Sequence, residues 1–157
     1  MEWLFKQDFD MDGPMAYPAF VKQMGALVMG RSTYEWLLAH QDAWEYTQPT
    51  FVFTHRELPI PDGADVRLVS DGVADVFPEI AESAAGADVW VVGGGDLAGQ
   101  FADAVPLDEV WVQYAPLTLG EGRPLLTLRL QSEPIDTARN REFVCARYSV
   151  GATISWE

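Results

Sequence analysis

The 157-residue chain has a single cysteine, Cys145. One thiol excludes an internal disulfide and a thiolate metal cluster. Its place in Phe143-Val144-Cys145-Ala146-Arg147 predicts a small buried apolar residue. Lysine is almost as scarce: Lys6 and Lys22 are the only two, and the other eight of the ten bases are arginine. Against 24 acids these give a net charge of −14 and a pI near 4.3. Such a surface repels nucleic acid and anionic lipid, which excludes a phosphate-tracking binder and a membrane-surface protein. No apolar run approaches the roughly 18 residues of a membrane span, and no charged-then-apolar signal opens the chain. Linkers, low-complexity tracts and internal repeats are missing as well. The expectation is one cytoplasmic domain, residues 1–157, whose partner is a small molecule.

The composition, 48% hydrophobic and 12% aromatic, supports a packed core. The first fifteen residues read as loop, and Pro18 begins a short helix to about Met24. Ala26–Met29 is a buried-strand run stopped by Gly30, and Ser32 with Glu35 forms a capping box opening a helix to about Ala39. Thr50–Phe53 and Val66–Val69 read as strands. Val73–Ala85 has apolar residues at helical spacing. Asp88–Val92 is a strand running into Gly93-Gly94-Gly95, followed by a helix from Asp96 to about Ala104. Glu109–Tyr114, Leu126–Leu130 and Glu142–Val150 read as strands, with Thr153–Trp156 as a further edge. Short strands alternating with short helices predict an α/β fold, its sheet largely parallel with an antiparallel C-terminal portion.

Three turns carry candidate chemistry. Gly93-Gly94-Gly95-Asp96-Leu97-Ala98 fits a relaxed G-x-G-x-x-A pattern between a strand and a helix, where glycines and free helix N–H groups admit a phosphate. The acid that a dinucleotide-binding Rossmann unit needs on the next strand is absent, since that strand ends in Tyr114-Ala115-Pro116. Gly30-Arg31-Ser32-Thr33 repeats the strand–glycine–helix arrangement, and two such turns in one sheet suit a pyrophosphate. Thr54-His55-Arg56 ends a strand with a hydroxyl, an imidazole and a guanidinium, a trio suited to a further phosphate. The two glycine turns also read as ordinary strand-to-helix connections, and His55, taken alone, as a satisfied surface histidine. Asp8–Gly13 copies the first half of a calcium loop, but position twelve is Ala19, so these acids read as solvated loop.

The order of these motifs resembles the dihydrofolate reductase superfamily: Val28–Glu35, Phe51–Arg56, Val91–Leu97 and Gln100-Phe101. Asp108-Glu109-Val110, Ala115-Pro116-Leu117 and Leu119–Leu125 resemble, more narrowly, the reductase domain of the bifunctional riboflavin-biosynthesis deaminase–reductase and its stand-alone bacterial relatives. The resemblance runs from about Trp3 to Val150. It implies a dihydrofolate-reductase-like mixed, mostly parallel sheet flanked by helices, with antiparallel C-terminal strands. It also implies NADPH as cofactor. Gly30, Arg31 and Thr33 would then line the cofactor phosphates, Thr54, His55 and Arg56 would face the adenosine 2′-phosphate, and Ser70 and Asp71 would edge the adenine. Gly93, Gly94, Gly95, Asp96 and Leu97 would receive the pyrophosphate and border the nicotinamide.

The chain departs from that pattern in two ways. The family's usual first strand, a central one with a Ser-x-Asp-Gly-x-Ile-Ala-like segment, has no counterpart before Trp3. The resemblance implies that it lies upstream or is replaced by Thr153–Trp156 or by a partner subunit. The first helix, Pro18–Met24, carries no Asp or Glu, which disfavours dihydrofolate as substrate and leaves the catalytic residue unassigned. Asp8, Asp10 and Asp12 are the nearest proton-donor candidates. Trp3, Phe20 and Tyr34, with Phe5 and Trp36, would line an aromatic pocket for a flat heterocycle, or else belong to the core. No metal is expected.

The implied activity is NADPH-dependent reduction of a small heterocyclic or sugar-derived substrate, like that of 5-amino-6-(5-phosphoribosylamino)uracil reductase. The alternative is a non-catalytic nucleotide-binding or oligomeric module. A homodimer is expected from apolar edge residues Trp111, Tyr114, Phe143 and Trp156.

Overall fold

The computed structural model describes residues 2–127 and 129–153. In chain order the elements are α1 (Glu2–Phe5), α2 (Tyr17–Val21), β1 (Met24–Gly30), α3 (Arg31–His40), β2 (Thr50–Phe53) and β3 (Val66–Val69). They continue with α4 (Val73–Ser83), β4 (Asp88–Gly93), α5 (Gly95–Ala104), β5 (Glu109–Tyr114), β6 (Leu130–Asn140) and β7 (Phe143–Thr153). Among the described residues they form two compact units, one of residues 23–106 with 124–127, the other of residues 2–22, 107–123 and 129–153.

The first unit is a parallel sheet in the order β3-β2-β1-β4. β1 is internal, hydrogen-bonded along one edge to β2 and along the other to β4, and α3 and α4 pack against it. Ala26, Leu27, Val28 and Met29 are therefore wholly buried, as the unbroken apolar run predicts. Phe51, Val52, Tyr34, Ile80 and Phe101 complete this core, and burying each large side chain contributes about 1.5–3 kcal/mol. Gly25 lets α4 approach β1, because a Cβ there would run into the Ala84 carbonyl. At the β3 edge, Arg67 ties strand to helix, donating to Glu79 at 3.1 Å and Ser83 at 2.9 Å.

The second unit is antiparallel, in the order β5-β7-β6. The parallel and antiparallel portions of the chain thus follow the expected mixed topology as two separately paired sheets. The β6–β7 hairpin anchors the N-terminal loop. Buried Asn140 accepts from the Asp10 N–H at 2.8 Å and donates to the carbonyls of Asp10 (2.9 Å) and Pro14 (3.1 Å), while Phe9 meets Phe143 edge-on. Asp8–Gly13 is therefore a fastened structural loop, with Asp10 also accepting from the Asp12 N–H. Phe143 is buried, so it supplies no apolar dimer edge. Tyr114 is half exposed and Trp111 half-buried, and Trp156 lies outside the described residues. Cys145 is buried as expected, and burial raises its thiol pKa.

Four local expectations are corrected. The N-terminal segment contains the short helix α1, and α2 ends at Val21, giving Met24 to β1. The capping box does not form: α3 begins at Arg31 with extended Gly30 as its cap, Ser32 falls inside the first turn, and Glu35 faces Arg31 instead. Of the expected strand Leu126–Leu130, the described residues Leu126, Thr127 and Arg129 are not in a strand; the chain enters β6 at Leu130 and stays in it to Asn140. Ile154–Trp156, part of the suggested last edge, lies outside the described residues.

A charged cluster fixes one face of the antiparallel sheet. Arg147 donates through Nε at 2.7 Å and through its terminal nitrogen at 2.5 Å to Glu109, which also accepts from the Trp111 indole at 2.8 Å. The Arg147 guanidinium lies over the Trp111 ring. These bonds, chiefly the one from Arg147, hold the Glu109 carboxyl below the usual glutamate range. A carboxylate with a lowered folded pKa stabilises fully above the unfolded value, and that stability is lost as pH falls through the folded one. Glu109→Gln is expected to cost about 1 kcal/mol at pH 7, the low end for a charged bond that water partly screens. Urea titrations at neutral and acid pH should show the deficit shrinking as pH drops; a deficit constant with pH would contradict the assignment.

Candidate functional site

The parallel register sets the site. Met29 pairs with Gly93, Gly30 with Phe53, and Phe53 with Val69, so β1 through β4 finish at one edge. The chain leaves that edge as Gly30–Thr33, Thr54–Arg56, Ser70–Asp71 and Gly93–Leu97. The sequence-derived cofactor residues, scattered over 68 positions from Gly30 to Leu97, are thereby brought together at the carboxyl ends of the strands, where open α/β sheets place ligands.

Two ten-residue helices start there. Gly30 caps α3 and Gly94 caps α5, both extended and without a side-chain capping bond, so the first N–H groups of each helix face outward at its positive dipole end. The turns are neighbours. A Cβ on Gly93 would lie 3.4 Å from Thr33 Oγ1, and a Cβ on Gly30 would come no closer to any other group than 4.0 Å, from the Gly93 carbonyl. A Cβ on Gly94 would meet nothing within 4 Å. The glycines thus bare an open cradle over two helix ends, a fit for a pyrophosphate. Gly95 serves a different purpose, since a Cβ there would lie 2.7 Å from the carbonyls of Pro124 and Leu125. Thr127 also donates to the Gly95 carbonyl at 3.4 Å. This contact of 124–127 was missed from sequence; the only signal was the glycine itself.

Thr54 is locked at the end of β2. Its N–H donates to Val69 at 2.8 Å and its hydroxyl accepts from the Arg56 N–H at 3.0 Å, a turn that projects His55 and Arg56 into solvent. Arg56 makes no ion pair among the described residues, whereas Arg31 faces Glu35 at a loose 3.4 Å. Ser70, Asp71 and Asp96 are exposed, and Leu97 is buried, its side chain belonging to the core.

The residues of the expected aromatic pocket belong to both units. Tyr34 is fully buried in the parallel unit, its hydroxyl donating to Pro59 O at 2.8 Å and its ring against Trp44. That burial gives it a core role in place of a substrate-lining one and raises its pKa. Phe20 packs on Trp111 in the antiparallel unit, and Trp3 is partly exposed on α1. Trp36 stacks on His40. Asp10 is committed to its turn and faces Arg141. No cluster of metal-ligating side chains occurs among the described residues, and no helix there is long and apolar enough to cross a membrane.

A parallel sheet feeding two glycine-capped helices, with a separate antiparallel C-terminal sheet, is the α/β fold of the dihydrofolate reductase type. Residues 19–147 match the RibD C-terminal domain family, and the chain belongs to that family. YwjB of Bacillus subtilis (strain 168), an uncharacterized protein, is 29% identical over 126 residues, covering 80% of this chain and 70% of YwjB. A Shewanella sp. PV-4 protein, assigned by inference to riboflavin biosynthesis, has a similar structure: TM-score 0.77 and 24% identity over 97% of this chain and 88% of that one. Enterococcus faecalis dihydrofolate reductase, solved with NADP(H), gives a TM-score of 0.54 at 19% identity over 86% of this chain and 80% of that one.

The two kinds of glycine separate in a stability test. Gly30→Ala enters open space in an extended conformation and should cost no more than about 1 kcal/mol, the loss from a poorer cap. Gly95→Ala must displace backbone and should cost about 2–3 kcal/mol. Urea midpoints that fail to rank them in this order would contradict the packing of 124–127 against α5.

Proposed function

We propose that the protein is an NADPH-dependent reductase of the riboflavin-pathway type, reducing a C=N or C=O bond in a small heterocyclic or sugar-derived substrate. The observation that carries this reading is the convergence of two glycine-capped helix N-termini and the Thr54-His55-Arg56 turn on one edge of the parallel sheet. Membership of the RibD C-terminal domain family supports it.

NADPH, when bound, supplies the hydride. The chain's contribution is placement. The N–H groups at the starts of α3 and α5 bind the pyrophosphate without a counter-charge, and the bare Gly30 and Gly94 let it approach the backbone. The uncommitted Arg56 guanidinium, with His55 and the Thr54 hydroxyl, receives the 2′-phosphate as a charge-assisted contact. Asp71, beside them, takes a hydrogen-bonding role toward the adenine, since a carboxylate against the phosphate would repel it. Holding the donor in one geometry serves hydride transfer more than a strong acid does.

Quenching of tryptophan fluorescence by NADPH and by NADH tests this. Saturable binding that favours NADPH is expected. Arg56→Ala should weaken NADPH by about tenfold and NADH far less, whereas Gly30→Ala should weaken both alike. A folded protein that binds neither nucleotide would overturn the reading. Saturable binding without NADPH oxidation across a panel of pyrimidine and sugar substrates would instead assign the chain to a non-catalytic nucleotide-binding module.

A further inference from the structure

Pairing across β5, β7 and β6 puts alternate residues of each strand on one face of the antiparallel sheet. On that face Tyr114 stands opposite Val144 and Val110 opposite Tyr148, with Val112 between them and Val150 one row further on. The Tyr114 and Tyr148 side chains meet there, and that contact, with burial, raises the Tyr114 pKa. Tyr114 and Val144 are 50% and 54% exposed, and Val110, Val112, Tyr148 and Val150 each keep part of their surface in solvent. The opposite face is built differently. Phe9 and Phe20 of the N-terminal segment pack there on Phe143 and Trp111, and Glu109, Glu133 and Asp136 all stand on that side. The chain has 24 acids and a net charge of −14. Yet no carboxylate stands at the paired positions of the first face, where β6 adds a single charge, Arg139.

We propose that this face binds a second copy of the chain, face to face about a twofold axis. Two chains of this charge repel over most of their surface, whereas here each presents the other with valine and tyrosine. A basic partner is drawn instead to the acidic remainder of the surface and is repelled by Arg139. Of the residues that the sequence suggests for a dimer edge, Tyr114 stands on this face, and Trp111 and Phe143 stand on the other. Three strands about 4.8 Å apart along about 20 Å make a plane of about 300 Å². That area matches the largest apolar patch of an ordinary monomer and falls short of a permanent dimer interface, so the association is reversible and weak. It depends in no way on the cofactor reading.

Sedimentation velocity of the whole protein from about 5 to about 500 µM tests this. A monomer–dimer equilibrium is expected. It should strengthen as salt rises from about 0.05 to about 0.5 M, because salt screens the repulsion between copies and leaves the apolar contact intact. Val144→Glu, at a half-exposed position, should fold and weaken dimerisation at least about tenfold, since it sets like charges into the interface. Ala39→Glu, on the exposed side of α3, adds the same charge elsewhere and should leave dimerisation unchanged. Tyr114→Gln removes ring area without adding charge and should weaken dimerisation as well. A monomer at every concentration, a dimer that loosens as salt rises, or equal effects of Val144→Glu and Ala39→Glu would overturn the proposal.

Discussion

Parallel strands all finish at the same edge, and in this chain that constraint turns four distant turns into one surface. The register of β1 against β2 and β4 is pinned at Gly25, because a slip of one residue would bring a Cβ against the Ala84 carbonyl. Once the register is set, Thr54 and Ser70 each follow the end of a strand, and Gly30 and Gly93 end their own. The helices need no side-chain caps there. Leaving their N–H groups uncapped costs some stability, offset by the dense core beneath.

The antiparallel unit follows a different plan. Its hydrophobic content is modest, and polar groups do much of the fixing: Asn140 gathers the N-terminal loop, and Glu109 takes hydrogen bonds from Arg147 and Trp111. Both centres are saturated, which distinguishes them from Gln41 Oε1 and Trp44 Nε1, which have no hydrogen-bond partner among the described residues. Buried polar groups with every bond made specify a structure.

Elements with a strong apolar signal were legible in the sequence. Ala26–Met29 and the Val89–Val92 part of Asp88–Val92 read as strands because they are apolar without interruption, and Val73–Ala85 as a helix because its apolar residues recur at helical spacing, which puts Val73, Val76 and Ile80 on one buried face. β6 was not legible. Most of Leu130–Asn140 is exposed, it holds Pro134, and only its pairing with β7 makes it a strand. The capping box failed for a local reason: β1 runs on to Gly30, the extended glycine starts the helix itself, and Ser32 arrives too late to cap it. The phosphate turns could be named from glycines following buried strands, but their closeness is a fact of register. The aromatic residues misled because composition does not distinguish a ring that lines a pocket from one, like Tyr34, that fills a core.

The central claim is that one nucleotide spans the carboxyl edge of the parallel sheet. Backbone amide chemical-shift mapping during NADPH titration tests it most directly. The account predicts saturating shifts concentrated at Gly30–Thr33, Thr54–Arg56, Ser70–Asp71 and Gly93–Leu97, with Leu37–Trp44 and the β5–β7 sheet unmoved. Shifts confined to the antiparallel sheet, or none at those four turns in a folded protein, would contradict it.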